Sequence, residues 1–318
     1  MIFHWIFRVL LIAACSASFA QGVSYPTKSI TIIVPYAGGS GSDVQARLFG
    51  QHLSSAMGQP VVVENRPGAS GAIGMQALRT APADGHTIAL GGGSLMVVNP
   101  LITRNLGYDP KDFIAVSGIG RTAVGFVVGA NSPHRTITDV VAAAKQENRA
   151  LNIGTYAAIY ELGAAWLGAL SNTRVTNVSY KGGAQVVSDL LGGHLELGFI
   201  DLSAAGALIK SGKLRVLALS TEQRSANYPG VPTMIESYPD YQVTSWTAFL
   251  VRVDTPPTII QKLSSTLQGL FGAPEVKEYF DKSGISPLRS GVEEMRAFQQ
   301  QDAMRVKAMV EAAHMEPR

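Results

Sequence analysis

Short runs of β-branched residues alternate with amphipathic, helix-length segments along nearly the whole chain, and this alternation restricts the fold more than any other feature. Ile30-Thr31-Ile32-Ile33-Val34 stops at Pro35 and reads as a buried parallel strand. Residues 43–56 follow as an amphipathic helix, with Val44, Leu48 and Leu53 among its core candidates and Gly58 as its stop. Residues 60–64 form a second strand, 74–80 a short helix and 87–90 a third strand. The pattern resumes with strands at 125–128, at a segment ending 152–154, and at 197–200, 216–220 and 248–251. Helices are expected at 137–146, 161–170, 184–191, 204–210, 258–271, 274–283 and 292–313, the first of them capped by Thr136 or Thr138. Such alternation implies βαβ units, a mostly parallel sheet and ligands at the carboxyl ends of the strands. At 318 residues the chain exceeds one ordinary core and suits two α/β lobes.

The N-terminus is set apart from this pattern. His4 and Arg8 make a thin positive region, residues 9–17 a short apolar one, and Ser18-Phe19-Ala20 place small residues at −3 and −1 of a cleavage site. The expectation is a signal peptide over 1–20 and a periplasmic mature protein. Cys15, the single cysteine, falls inside it, so the mature chain has neither a disulfide framework nor a thiol nucleophile. Ile12-Ala13-Ala14-Cys15 also resembles a lipobox, and the alternative is a lipoprotein anchored through Cys15. No later segment has about 18 uninterrupted apolar residues. The net charge of +3 is spread along the chain and no Lys/Arg run reaches five residues, so nucleic acid is not an expected partner.

Catalytic motifs fail on spacing. In Gly206 to Lys213 five residues, not four, separate the glycines of a would-be phosphate loop, and Leu214 stands where Mg²⁺ needs a hydroxyl. Gly39-Ser40-Gly41 lacks the third glycine of a dinucleotide fingerprint, and neither Ser40 nor Ser70 sits in a Gly-x-Ser-x-Gly elbow. The six histidines never pair at i+3 or i+4, so no helical zinc pair exists. Neither a cofactor nor a metal is expected.

What remains is a set of glycine-rich turns, each after a strand. Residues 35–43 (Pro-Tyr-Ala-Gly-Gly-Ser-Gly-Ser-Asp) lie between the first strand and its helix. Glycines let backbone N–H groups converge, and the helix N-terminus behind them adds partial positive charge, so the turn suits an anion. Asp43 is either the helix cap or an acceptor for a ligand ammonium. Gly91-Gly92-Gly93-Ser94 forms a second wall, unless both sets of glycines serve tight turning alone.

These residues resemble the tripartite tricarboxylate transporter receptors of the Bug/TctC type. The resemblance rests on Tyr25-Pro26-Thr27-Lys28, on residues 34–39 with Asp43, and on residues 61–71 (Val-Val-Val-Glu-Asn-Arg-Pro-Gly-Ala-Ser-Gly). It continues through residues 81–87, Asn99-Pro100, residues 180–183, 189–193 and 210–215, Val231-Pro232-Thr233 and Thr244-Ser245-Trp246. It implies a type II, Venus-flytrap periplasmic binding fold of two lobes, each a mostly parallel sheet flanked by helices. Crossings near Gly125 and Trp246 then give one lobe from 25–125 plus 246–318 and another from 126–245. It further implies a monomer without catalysis that holds a small carboxylate in the interlobe cleft through first-loop amides and water. Tyr36, Ala37, Gly38, Gly39 and Ser40 become the first candidates, with Ser94 on the second wall. The partner is a set of membrane transporter subunits or, alternatively, a sensor protein; a secreted α/β hydrolase is the reading from another class.

The facing loop departs from the family. Where its members read Ser-Ala-Gly-x-Gly-Ser, this chain has Thr155-Tyr156-Ala157-Ala158-Ile159-Tyr160. Thr155 is expected to donate to the carboxylate, and Tyr156 or Tyr160 to pack on an apolar or aromatic ligand body. The alternative is a loop that no longer touches ligand. Arg121 is a candidate clamp for a distal carboxylate, or a solvated arginine beside the hinge. Asp201 accepts from a ligand amine or hydroxyl, or caps a helix starting at Ser203. Lys181 is read as structural.

Overall fold

The computed structural model describes residues 25–203, 205–241 and 243–317; the expected leader over 1–20 and Cys15 lie outside the described residues. Six strands form one sheet in the order β11-β4-β10-β3-β1-β2. They are β1 (Ile30–Val34), β2 (Val61–Asn65), β3 (Thr87–Gly92), β4 (Phe113–Thr122), β10 (Ser245–Arg252) and β11 (Ser286–Pro287). Five strands form the other in the order β7-β6-β8-β5-β9: β5 (Val124–Gly129), β6 (Leu151–Thr155), β7 (Val175–Ser179), β8 (Leu197–Asp201) and β9 (Leu214–Leu219). Among the described residues ten α-helices flank them: α1 (Gly41–Met57), α2 (Ala72–Thr80), α3 (Asn99–Ile102), α4 (Ile137–Gln146), α5 (Ala158–Ser171), α6 (Gly183–Gly192), α7 (Gly206–Lys210), α8 (Pro257–Gly269), α9 (Pro274–Ser283) and α10 (Val292–Ala312).

The result is a two-lobed α/β fold, but both sheets are mixed rather than mostly parallel. β1 pairs parallel with β2 and β3, whereas β10 runs antiparallel to β3 and β4. In the second sheet β6 pairs parallel with β7 and β8, and β5 antiparallel with β8 and β9. Only Ala123 separates β4 of the first sheet from β5 of the second, so the chain changes lobe within a single residue. That change of sheet lies two residues ahead of Gly125, and the return strand enters the first sheet at Ser245, one residue ahead of Trp246.

Three strands escape the sequence pattern: β4, β7 and the two-residue β11. β4 carries Gly118 and Gly120 because the 285–288 segment crosses too close for side chains; a Cβ on Gly118 would press on the Leu288 carbonyl. β7 is a half-exposed edge strand in which Thr176, Asn177 and Ser179 are polar and only Val175 and Val178 apolar. Each lobe has its own aromatic core. Phe49 of α1 meets Phe249 and Phe271 edge-on at 5.8 and 5.5 Å, and in the other lobe Phe126 stacks on Phe199 at 4.3 Å. Such pairs add about 0.5–1.5 kcal/mol each beyond simple burial. α10 packs on β4 in one lobe and on α5 in the other, so the last helix braces the two.

Candidate functional site

The first glycine-rich loop leaves β1 at Val34 and turns into α1 at Gly41, two residues before the expected start, because Ser40 is the N-cap. The Ser40 hydroxyl accepts the Asp43 amide at 3.3 Å. Asp43, in the first turn, reaches back to accept the Gly39 amide at 2.9 Å. It is neither the cap nor turned to a ligand. Arg47 and Asn65 hold its other contacts, at 3.1 Å to Arg47 Nε and 2.9 Å to Asn65 Nδ2. Burial alone would raise the Asp43 pKa; the bonds from Arg47, Gly39 and Asn65 outweigh it and keep the carboxyl below its ordinary range.

This scaffolding changes which amides are free. Ala37 N–H donates to the Lys181 carbonyl of the second lobe at 3.0 Å, Gly39 N–H to Asp43, and Ser40 N–H to the Ala37 carbonyl at 3.2 Å. Three of the expected donors are therefore committed. Gly38, with Gly41 and Ser42 at the start of α1, carries amides without an acceptor among the described residues. The second glycine set also has a packing purpose. Gly92 belongs to β3, where a Cβ would fall on the Trp246 carbonyl of β10, and one on Gly93 would lie 2.9 Å from the Trp246 indole nitrogen. Ser94 still faces the other lobe: its Oγ accepts the Ile159 amide at 3.2 Å.

The facing segment folds differently from expectation. α5 begins at Ala158, three residues early, so Ile159 and Tyr160 belong to its first turn and only residues 156 and 157 remain loop. The Thr155 hydroxyl donates to Asn177 Oδ1 at 2.7 Å within its own lobe, not into the cleft. Tyr156 and Tyr160, each 5 % exposed, fill the space in front. Tyr156 meets Tyr36 of the first lobe edge-on at 5.6 Å and Tyr160 at 4.9 Å. Burial, and then the charge of Asp201, pushes both phenols well above the ordinary tyrosine range; burial does the same to Tyr36, partly offset by the Ser94 hydroxyl.

Asp201, at the end of β8, is 2 % exposed. It accepts hydroxyl hydrogen bonds from Tyr156 and Ser203. α7 starts at Gly206, so Asp201 caps no helix. It lies instead against α1 of the first lobe, where a Cβ on Gly41 would be 2.5 Å from Asp201 Oδ1.

Arg121 is not brought to this group. It is exposed on β4, with its guanidinium carbon 5.0 Å from the Phe298 ring of α10, a cation–π contact beside the hinge. Lys181 contributes its backbone carbonyl to the lobe contact. Sequence reasoning missed Asn65, whose amide also donates to the Tyr36 carbonyl at 3.1 Å and so anchors both ends of the loop. The signal was an amide side chain closing the strand next to β1. Sequence reasoning placed Ser203 at the start of a helix and so missed its hydroxyl as a partner of Asp201. Among the described residues no group of three or more His, Cys, Asp or Glu could hold a metal, and no helix is long and apolar enough to cross a membrane.

Residues 45–315 match the family described as "Tripartite tricarboxylate transporter family receptor". The chain is 32% identical over 302 residues to protein BugT of Bordetella pertussis, covering 91% of each sequence. Among solved structures, R. palustris Rpa4515 with adipate superposes with a TM-score of 0.88 at 29% identity, over 92% of this chain and 100% of that one. The periplasmic binding protein BugD superposes with a TM-score of 0.87 at 25% identity, over the same 92% and 100%.

Proposed function

This chain belongs to the tripartite tricarboxylate transporter receptor family, and we propose that it captures a small carboxylate between its lobes in the periplasm and delivers it to membrane transporter subunits. It acts by binding, without catalysis and as a monomer. The observation that carries this reading is the set of amides at Gly38, Gly41 and Ser42 without an acceptor among the described residues, in a loop whose Tyr36 meets Tyr156 and whose Gly41 lies against Asp201 of the other lobe. Convergent N–H groups at the start of a 17-residue helix favour an anion without a cationic side chain. The adipate in the R. palustris relative supports the same ligand class.

Tyr36, Tyr156 and Tyr160 close the site with aromatic surface, which favours a carboxylate with an apolar or aromatic body over a compact polar acid. Ser94 and the amide of Ala37 act in lobe closure, and Thr155 ties the end of β6 to β7. Arg121 belongs to the hinge rather than to the ligand. A thermal-shift panel of mono-, di- and aromatic carboxylates tests the proposal. Acids with an apolar body should raise the melting temperature most. Absence of stabilisation across the panel overturns the carboxylate reading, and preference for compact acids such as citrate overturns the apolar body.

A further inference from the structure

A buried carboxylate ordinarily has a cation beside it, because an unpaired charge out of water is costly. Asp201 has none: its hydrogen bonds come from the neutral hydroxyls of Tyr156 and Ser203, and none of its contacts among the described residues is an ion pair. It stands between the lobes, on the first turn of α1. Tyr156 bonds it directly, Tyr160 packs on Tyr156 at 4.9 Å, and the charge of Asp201 contributes to raising both phenols. Next to it, a crevice of about 450 Å³ is lined by Leu202, Ser203, Tyr228 and Tyr279 with Lys210 and Lys282, neither of which is ion-paired to Asp201.

The same α1 terminus is where the ligand's acid group is read to bind. A bare second carboxylate there would be repelled by the like charge of Asp201. A ligand that carries its own cation removes the conflict. An ammonium fits the surroundings: aromatic faces attract cations, and a carboxylate has about four acceptor positions, of which the two hydroxyls use two.

We infer that the captured acid is a zwitterion, its carboxylate on the amides of Gly38 and α1 and its ammonium on Asp201 beside Tyr156. This rests on the carboxylate reading above. Asp201 thus selects among acids, and Tyr156 yields part of its hold on Asp201 when the ligand enters.

Calorimetry at pH 7 with matched probes tests it. 3-Phenylpropanoate and phenylalanine differ by one ammonium; phenethylamine keeps the ammonium without the acid, and phenylsuccinate adds a second acid. Hexanoate and 2-aminohexanoate repeat the first comparison without a ring. Phenylalanine or 2-aminohexanoate should bind on the order of tenfold or more tighter than its deaminated partner. Asp201→Asn should bring that ratio close to one. N-acetylphenylalanine, which keeps the acid and neutralises the amine, should lose the advantage on the unmodified chain, so the result stands even if the variant folds poorly. Equal or tighter binding of 3-phenylpropanoate or phenylsuccinate overturns the zwitterion and leaves the carboxylate reading intact. Phenethylamine binding as tightly as phenylalanine overturns the carboxylate reading while keeping Asp201 as a cation acceptor. Binding by no probe overturns both.

Discussion

Tyr156 sits where three contacts meet: the Tyr36 ring of the other lobe, the Tyr160 ring in the first turn of α5, and the Asp201 carboxylate. Tyr156→Ala removes the ring from a closed space and should cost about 3–5 kcal/mol. Tyr156→Phe keeps the ring but leaves Asp201 short of a donor, at about 1–3 kcal/mol. Urea denaturation of both variants separates packing from hydrogen bonding, and equal losses would contradict this division. Asp43 sets a pH dependence. Its folded pKa lies below the ordinary 3.8, so its stabilisation is fully present above that value and is lost as pH falls through the lowered folded pKa. Asp43→Asn should therefore cost about 1–2 kcal/mol at pH 7, and the gap to the parent should narrow in thermal melts below pH 4. A gap independent of pH would mean that the ion pair with Arg47 contributes little.

At the scale of elements, the glycines divide by their surroundings. Gly92 lies in β3 with the β10 backbone directly over its Cα, whereas Gly269 closes α8 in open space. Gly92→Ala forces two strands apart and should cost about 3 kcal/mol or more. Gly269→Ala only reduces the freedom of the unfolded chain and should stabilise by about 0.5–1 kcal/mol. Denaturant midpoints for the pair test this; a tolerated Gly92→Ala would show that β10 can shift. The sequence identified Gly91-Gly92-Gly93 as a turn because glycine marks both turns and close approach, and a single chain segment does not carry the position of β10, more than 150 residues away. The α1 loop was legible for the opposite reason: strand, glycines, Ser40 cap and helix are contiguous.

For the molecule as a whole, the lobes are held together by Ala37 to Lys181, Ile159 to Ser94, and Asp201 against Gly41. A Cβ on Gly182 would stand 2.9 Å from Ala37 Cβ across this contact. Gly182→Val should wedge the lobes, enlarge the radius of gyration in solution scattering, and weaken ligand binding about tenfold for each 1.4 kcal/mol of closure lost. An unchanged radius with unchanged affinity would mean that the contact is incidental to closure.

Local pattern alone determined the α/β class, most helices and strands, the anion-suited loop and the odd chemistry of Thr155 to Tyr160, because capping, periodicity and turn residues act within a few positions of one another. Only the tertiary structure decided that the sheets are mixed, that Arg121 turns to Phe298, that Thr155 turns to Asn177, and that Asp201 meets α1 with no ion pair among the described residues. Those outcomes depend on which distant segments share a surface, and burial of a charge or a hydroxyl is a property of that surface rather than of the residue.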